Sequence, residues 1–133
     1  MNSPALQYQK LDVQSLVGTA SPHRLISMLF DGACSRLSHA RGCALRSDHE
    51  GRSRSIGETV SIVSGLQGSL DKDHGGDLAE NLGELYDYMV RRLYSANRDN
   101  DAAGIDEVLD LVRTLQDAWA AIDPAVTRAS ESS

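Results

Sequence analysis

The stretch from Asp77 to Asn97, DLAENLGELYDYMVRRLYSAN, constrains this chain more than any other. Leu78, Leu82, Leu85, Met89, Leu93 and Ala96 recur there at steps of three and four, the period of an α-helix. At about 100° per residue these side chains form one narrow apolar stripe. Ala79, Gly83, Tyr86, Val90 and Tyr94 add a second shoulder and widen the apolar arc to roughly half the circumference, leaving Glu84, Asp87, Tyr88, Arg91 and Arg92 for solvent. Asp77 followed by Glu80 is a reciprocal capping pattern, and Gly75 and Gly76 just before it free the chain to turn. A helix packed against one layer of neighbours needs less apolar surface than this. The surplus is either buried by a further helix of the same chain or kept for a partner.

With 133 residues, the chain is sized for one domain with one core. One Trp and one Phe leave that core to Leu, Ile, Val and Ala. A net charge of −6 without any basic run argues against nucleic-acid binding. Cys34 and Cys43 fall on one predicted helix, about 13 Å apart along its axis, which is too far for a disulfide. They read as reduced thiols of a cytoplasmic protein. No apolar run approaches the roughly 20 residues of a membrane span, and the polar N-terminus has no secretory h-region.

Residues 1–20 contain apolar side chains that keep neither period for long, so they read as a short helix, an arm laid over the domain, or a frayed terminus. Ser21-Pro22 is a helix start, and Leu25, Ile26, Leu29, Ala33, Leu37, Ala40 and Ala44 carry the first helix over 22–45. RSDHEGRSR (46–54) reads as a polar loop. The second helix is expected over 53–71, with Ile56, Val60, Val63, Leu66 and Leu70 inward. Its other face clusters Gly57, Ser61, Ser64 and Gly68. Glycine costs a helix about 1 kcal/mol against alanine, so this face either admits a closely packed partner helix or tolerates poor helix formers. The third helix is expected over 77–98. The fourth is expected over 102–122, with Asp101 as N-cap, a stripe through Ile105, Val108, Leu109, Val112, Leu115, Trp119 and Ile122, and Pro124 beyond its end. Trp119 should be largely buried against the first or third helix. Residues 124–133 have little to bury and read as a disordered tail. The expected fold is all-α: an antiparallel up-down four-helix bundle over 21–123, preceded by an N-terminal arm or short helix over 1–20.

Catalytic and metal patterns are weak. No His has Glu three residues before it, as a di-metal bundle requires, and His74 in its acidic turn reads as a solvated side chain. No cofactor or metal is expected. Nothing in the spacing of Ser, Cys and His orders a nucleophile and a base. His39-Ala40-Arg41-Gly42 resembles the motif of histidine phosphotransfer bundles, in which the basic residue balances the phosphoryl charge. That is the alternative functional reading. A third is a bundle serving only as an oligomer subunit.

With these residues laid out, the chain resembles the flagellar secretion chaperone family FliS from Tyr8 to Ile122. The resemblance rests on TASPHRLI (19–26) followed by MLFDGA (28–33), on GLQGSLD (65–71) with Gly75-Gly76, and on Asn81-Leu82, Leu85-Tyr86, Tyr88-Met89 and Leu93. Asn97, Asn100-Asp101, Glu107-Val108 and Trp119 complete it. It implies a non-enzymatic α-helical bundle that binds the C-terminal segment of flagellin in the cytoplasm, prevents premature polymerisation and presents flagellin to the flagellar type III export gate. In such a family the partner wraps the bundle as helices, which fits both the wide arc of the third helix and the small-residue face of the second. The expected partner-binding residues are Gly57, Ser61, Ser64, Gly68, Tyr86, Val90 and Tyr94. To these the resemblance adds Tyr8, the match of a tyrosine implicated in partner or export-gate contact. The expected partners are flagellin and an export-gate component, with no nucleic acid and no membrane insertion.

Overall fold

The computed structural model describes residues 21–122, apart from the side chains at 72–74. Residues 1–20 and the tail at 124–133 lie outside the described residues. Four helices follow one another: α1 (Pro22–Leu45), α2 (His49–Gly68), α3 (Lys72–Asp99) and α4 (Ala102–Ala120). α1 starts as Ser21-Pro22 predicts, with the Arg24 N–H donating to Ser21 Oγ at 3.1 Å and Pro22 at the first helical position. α4 starts at Asp101, whose carboxylate accepts from the Gly104 N–H at 3.1 Å.

Three boundaries differ most from the expectation. α2 begins at His49 rather than 53, because Asp48 caps it by accepting from the Gly51 N–H at 3.0 Å. Gly51, which reads in sequence as a loop residue, is buried where α2 leaves α1. A Cβ there would lie 2.5 Å from Asp48 Oδ2 and 2.9 Å from Cys43 Sγ. Glycine therefore serves close approach of two helices, not a turn. α2 also ends earlier, at Gly68. α3 is continuous from Lys72 but kinked at Gly76 (φ 56°, ψ −136°), a conformation that favours glycine. The break before Asp77 is real, and the backbone of Gly76 makes it.

Side-chain bonds between helices give the topology. Arg36 pairs with Glu58, and His39 with Ser55, setting α1 antiparallel to α2. Ser53–Asn97 and Gln67–Asp87 do the same for α2 and α3. Arg92–Glu107 joins α3 to α4, and Arg41–Asp106 with Cys34–Gln116 joins α4 back to α1. The result is the expected antiparallel up-down bundle, in which α1 packs mainly on α2 and α4.

The core holds Phe30, Ala33, Leu37 and Ala40 of α1, Ile56, Val63 and Leu66 of α2, Met89, Leu93 and Ala96 of α3, and Ile105, Val108, Leu109 and Val112 of α4. On α3 the predicted stripe and shoulder exchange roles at the N-terminal half. Ala79 and Tyr86 are buried at 4% exposure each, Leu82 and Leu85 are only half-buried, and Leu78 is 68% exposed. The helix enters the bundle rotated so that the small residues face inward and the first leucines fall at the margin. Trp119 is half-buried rather than largely buried, and it anchors α4 against the first helix.

Candidate partner-binding groove

The marginal leucines of α3 do not stand alone. At one end of the bundle the start of α1, the end of α2, the start of α3 and the end of α4 surround an open apolar groove of about 520 Å³. Pro22, Leu25, Ile26 and Phe30 line it from α1, and Leu70 follows α2. Leu78, Leu82 and Tyr86 come from α3, and Leu115, Ala118 and Trp119 from α4, with Ile122 just beyond its end.

One rim of the groove is clasped. The Trp119 indole Nε1 donates to the His23 carbonyl oxygen at 3.0 Å, and His23 Nε2 meets the Trp119 carbonyl oxygen at 3.1 Å. A carbonyl oxygen only accepts, so Nε2 carries the proton. The two rings stack with centroids 4.9 Å apart. This clasp ties the first turn of α1 to the last turn of α4 and holds the indole as a wall. Burial pushes the Tyr86 phenol above its ordinary pKa, so this groove residue stays neutral at physiological pH.

The sequence-predicted site residues do not converge on one place. Gly57, Ser61, Ser64 and Gly68 form an exposed line along α2, and a Cβ added at Gly57 or Gly68 would meet nothing within 4 Å. The Ser53–Asn97 and Gln67–Asp87 bonds put Val90 level with Val60, and Tyr94 level with Gly57. Tyr94 is 57% exposed, whereas Val90 is half-buried against the core. Tyr86, one turn before Val90 on α3, lines the apolar groove. Tyr8 lies outside the described residues. Missed in the sequence were Leu78 and Leu82, assigned to the core stripe, and the groove-lining Leu25, Ile26, Leu70 and Ile122. The surplus width of the α3 arc was the available signal, but periodicity does not say which margin of an arc lies uncovered.

Other polar clusters are structural in geometry. Arg92 bonds Glu107 at 2.9 Å and Asp101 at 3.2 Å, and Tyr88 donates to the same Glu107 carboxylate. Tyr88 first and Arg92 second hold the Glu107 carboxyl below its ordinary range. The Gly104 N–H, then Arg92, does so for Asp101. His39 Nδ1 sits 2.7 Å from Ser55 Oγ, with Cys43 and the Asp48 carboxylate near by. Arg41, the cation a phosphohistidine would need, is paired at 2.7 Å with Asp106 instead. Among the described residues no group of His, Cys, Asp and Glu could hold a metal ion, and no helix is long and apolar enough to cross a membrane.

Comparison with known proteins gives this bundle its relatives. The profile of the family described as "Flagellar protein FliS" matches residues 4–126. The chain is 45% identical over 118 residues to the flagellar secretion chaperone FliS of Salmonella typhimurium, covering 88% of this chain and 87% of that protein. It is 41% identical over 113 residues to the flagellar secretion chaperone FliSB of Pseudomonas aeruginosa (85% and 90% covered). Identity to FliS of Bacillus subtilis is 31% over 119 residues (90% and 85% covered). A four-helix bundle with an uncovered apolar groove, matched over nearly its whole length to such proteins, belongs to the FliS family of flagellar secretion chaperones.

Proposed function

We propose that this chain binds the C-terminal segment of flagellin in the cytoplasm, masks the face through which flagellin polymerises, and delivers it to the flagellar type III export gate. The observation that best supports this reading is the open groove of about 520 Å³, whose exposed Leu78 has no role in the bundle's own core. A groove walled by leucines, two isoleucines and an indole suits the apolar face of an amphipathic helix. Such a chaperone acts without catalysis. The partner segment is disordered before assembly, and burying its apolar face competes with self-association by mass action. Ordering that segment consumes part of the interaction energy, which keeps the affinity moderate and makes release feasible.

The exposed line Gly57, Ser61, Ser64 and Gly68, with Val90 and Tyr94 at its level, is proposed as a second contact along which the wrapped segment continues. Residues 1–20 are proposed as an arm over the bundle, with Tyr8 in contact with the partner or the export gate. Co-expression with flagellin from the same genome, and purification through a tag on either chain, tests the main reading. A one-to-one complex is expected, and Leu78→Glu should abolish it while leaving the helical circular dichroism intact. Failure of flagellin to co-purify, or its full retention by the Leu78→Glu chain, would refute the groove reading.

A further inference from the structure

The groove's hydrogen-bonding capacity is almost wholly committed within the chain. Trp119 Nε1, its indole donor, is bonded to the His23 carbonyl oxygen. Ser69, at the groove's edge, donates its hydroxyl to the Leu66 carbonyl oxygen at 2.6 Å. The other lining side chains are hydrocarbon, except for Tyr86. Tyr86 is 4% exposed, and its hydroxyl has no hydrogen-bond partner among the described residues. Yet no side-chain oxygen among them is sealed from solvent without a partner. The hydroxyl is therefore not sealed from solvent, and Tyr86 is one of the residues that line the groove.

We propose that the Tyr86 hydroxyl determines specificity in this groove, by bonding one polar side chain (Asn, Gln, Ser or Thr) set within the apolar face of the docked helix. The inference rests on the groove being the flagellin site. Its physical basis is register. An apolar helix in an apolar groove slides by one turn at little cost, because hydrocarbon contacts are not directional. A single polar pair in that contact breaks the degeneracy, since every other register leaves both groups desolvated and unpaired. Buried polar residues fix the register of helical pairs in coiled coils by the same means. An occupant lacking the polar side chain would still enter, but would leave the tyrosine unmatched.

The test uses the full chain and a synthetic peptide of flagellin's C-terminal segment, titrated by calorimetry against wild type, Tyr86→Phe and Leu78→Glu. Tyr86→Phe removes the hydroxyl and nothing else, and the hydroxyl holds no bond within the described bundle, so the melting temperature of the free protein should not fall. Kd should nevertheless rise about tenfold. Repeating the titration with each polar residue of the peptide replaced by Ala should reveal one position whose effect disappears in the Tyr86→Phe background. Unchanged affinity in Tyr86→Phe, no coupled position, or a destabilised free protein would each overturn the proposal. If Leu78→Glu abolishes binding while Tyr86→Phe does not weaken it, the groove reading stands and this inference alone fails. If Leu78→Glu binds normally, both fall.

Discussion

Arg52 offers a sharp test of what holds the bundle together away from the groove. It is 7% exposed, and its guanidinium bonds two Asn side chains and a His rather than a carboxylate. Nε donates to Asn97 Oδ1 at 2.7 Å, while Nη1 donates to Asn100 Oδ1 and, at 2.7 Å, to His49 Nδ1. Asn100 in turn donates to the Ala44 carbonyl oxygen at 3.2 Å and takes φ 50° in the turn between α3 and α4. One guanidinium thus joins the start of α2 to the α3–α4 turn, and through Asn100 to the end of α1. Hydrogen bonds from a charged donor contribute about 1.5–3 kcal/mol each, against which stands the desolvation of an unpaired cation. In Arg52→Ala, Asn97 Oδ1 keeps Ser53 as a donor at 3.1 Å, but Asn100 Oδ1 is left without its Arg52 donor. The net loss should be about 3–4 kcal/mol, a large fraction of a small domain's stability. Urea denaturation followed by circular dichroism measures it, and the melting temperature should drop by about 10–20 °C. Arg52→Met, which keeps the aliphatic stem, separates packing from bonding and should lose nearly as much. A loss below about 1 kcal/mol in both variants would mean that burying the cation cancels its bonds, and would refute the reasoning.

Leu37→Ala should cost about 3–5 kcal/mol as a buried cavity, while Leu78→Ala should cost less than about 0.5 kcal/mol, because their exposures are 0% and 68%. Equal losses in denaturant titrations would contradict the placement of α3. Stability should decline in acid. Asp48 and Asp101 (ordinary value 3.8) and Glu107 (ordinary value 4.5) are all lowered in the folded chain, so their contribution is complete above those values and is lost as pH falls through the lowered ones. Thermal melts from pH 6 down to about pH 2 would show it, and a flat profile would count against these pairings. Ser61→Glu and Ser64→Arg should leave the melting temperature within a few degrees of wild type, because both positions are exposed, while weakening flagellin retention. Full retention by both folded variants would remove the α2 line from the proposed contact.

Much of this architecture was legible without coordinates. Local signals act within one turn, so Ser21-Pro22, Asp101 and the glycines before Asp77 marked helix boundaries by chemistry that needs no partner. The four apolar stripes specified four helices and, with short connections, an up-down bundle. Where a boundary depended on a neighbour, the local reading failed. Gly51 looks like a loop breaker in its own segment, and only the approach of Cys43 and Asp48 makes glycine the residue required there.

The same division holds for the binding surface. Periodicity measured how wide the apolar arc of α3 is, because that depends on sequence spacing alone. It did not say how α3 is rotated about its axis. That angle follows from which side chains fit against α2 and α4, and the close fit of Ala79 and Tyr86 turned Leu78 and Leu82 to the margin. The groove exists only because four helix ends far apart in the chain come together around it, and the His23–Trp119 clasp joins two of them across 96 positions of sequence. Each helix carries its own apolar stripe in its sequence. Which part of each stripe stays uncovered is a property of the packed assembly, since it is set by the helices that fail to reach it.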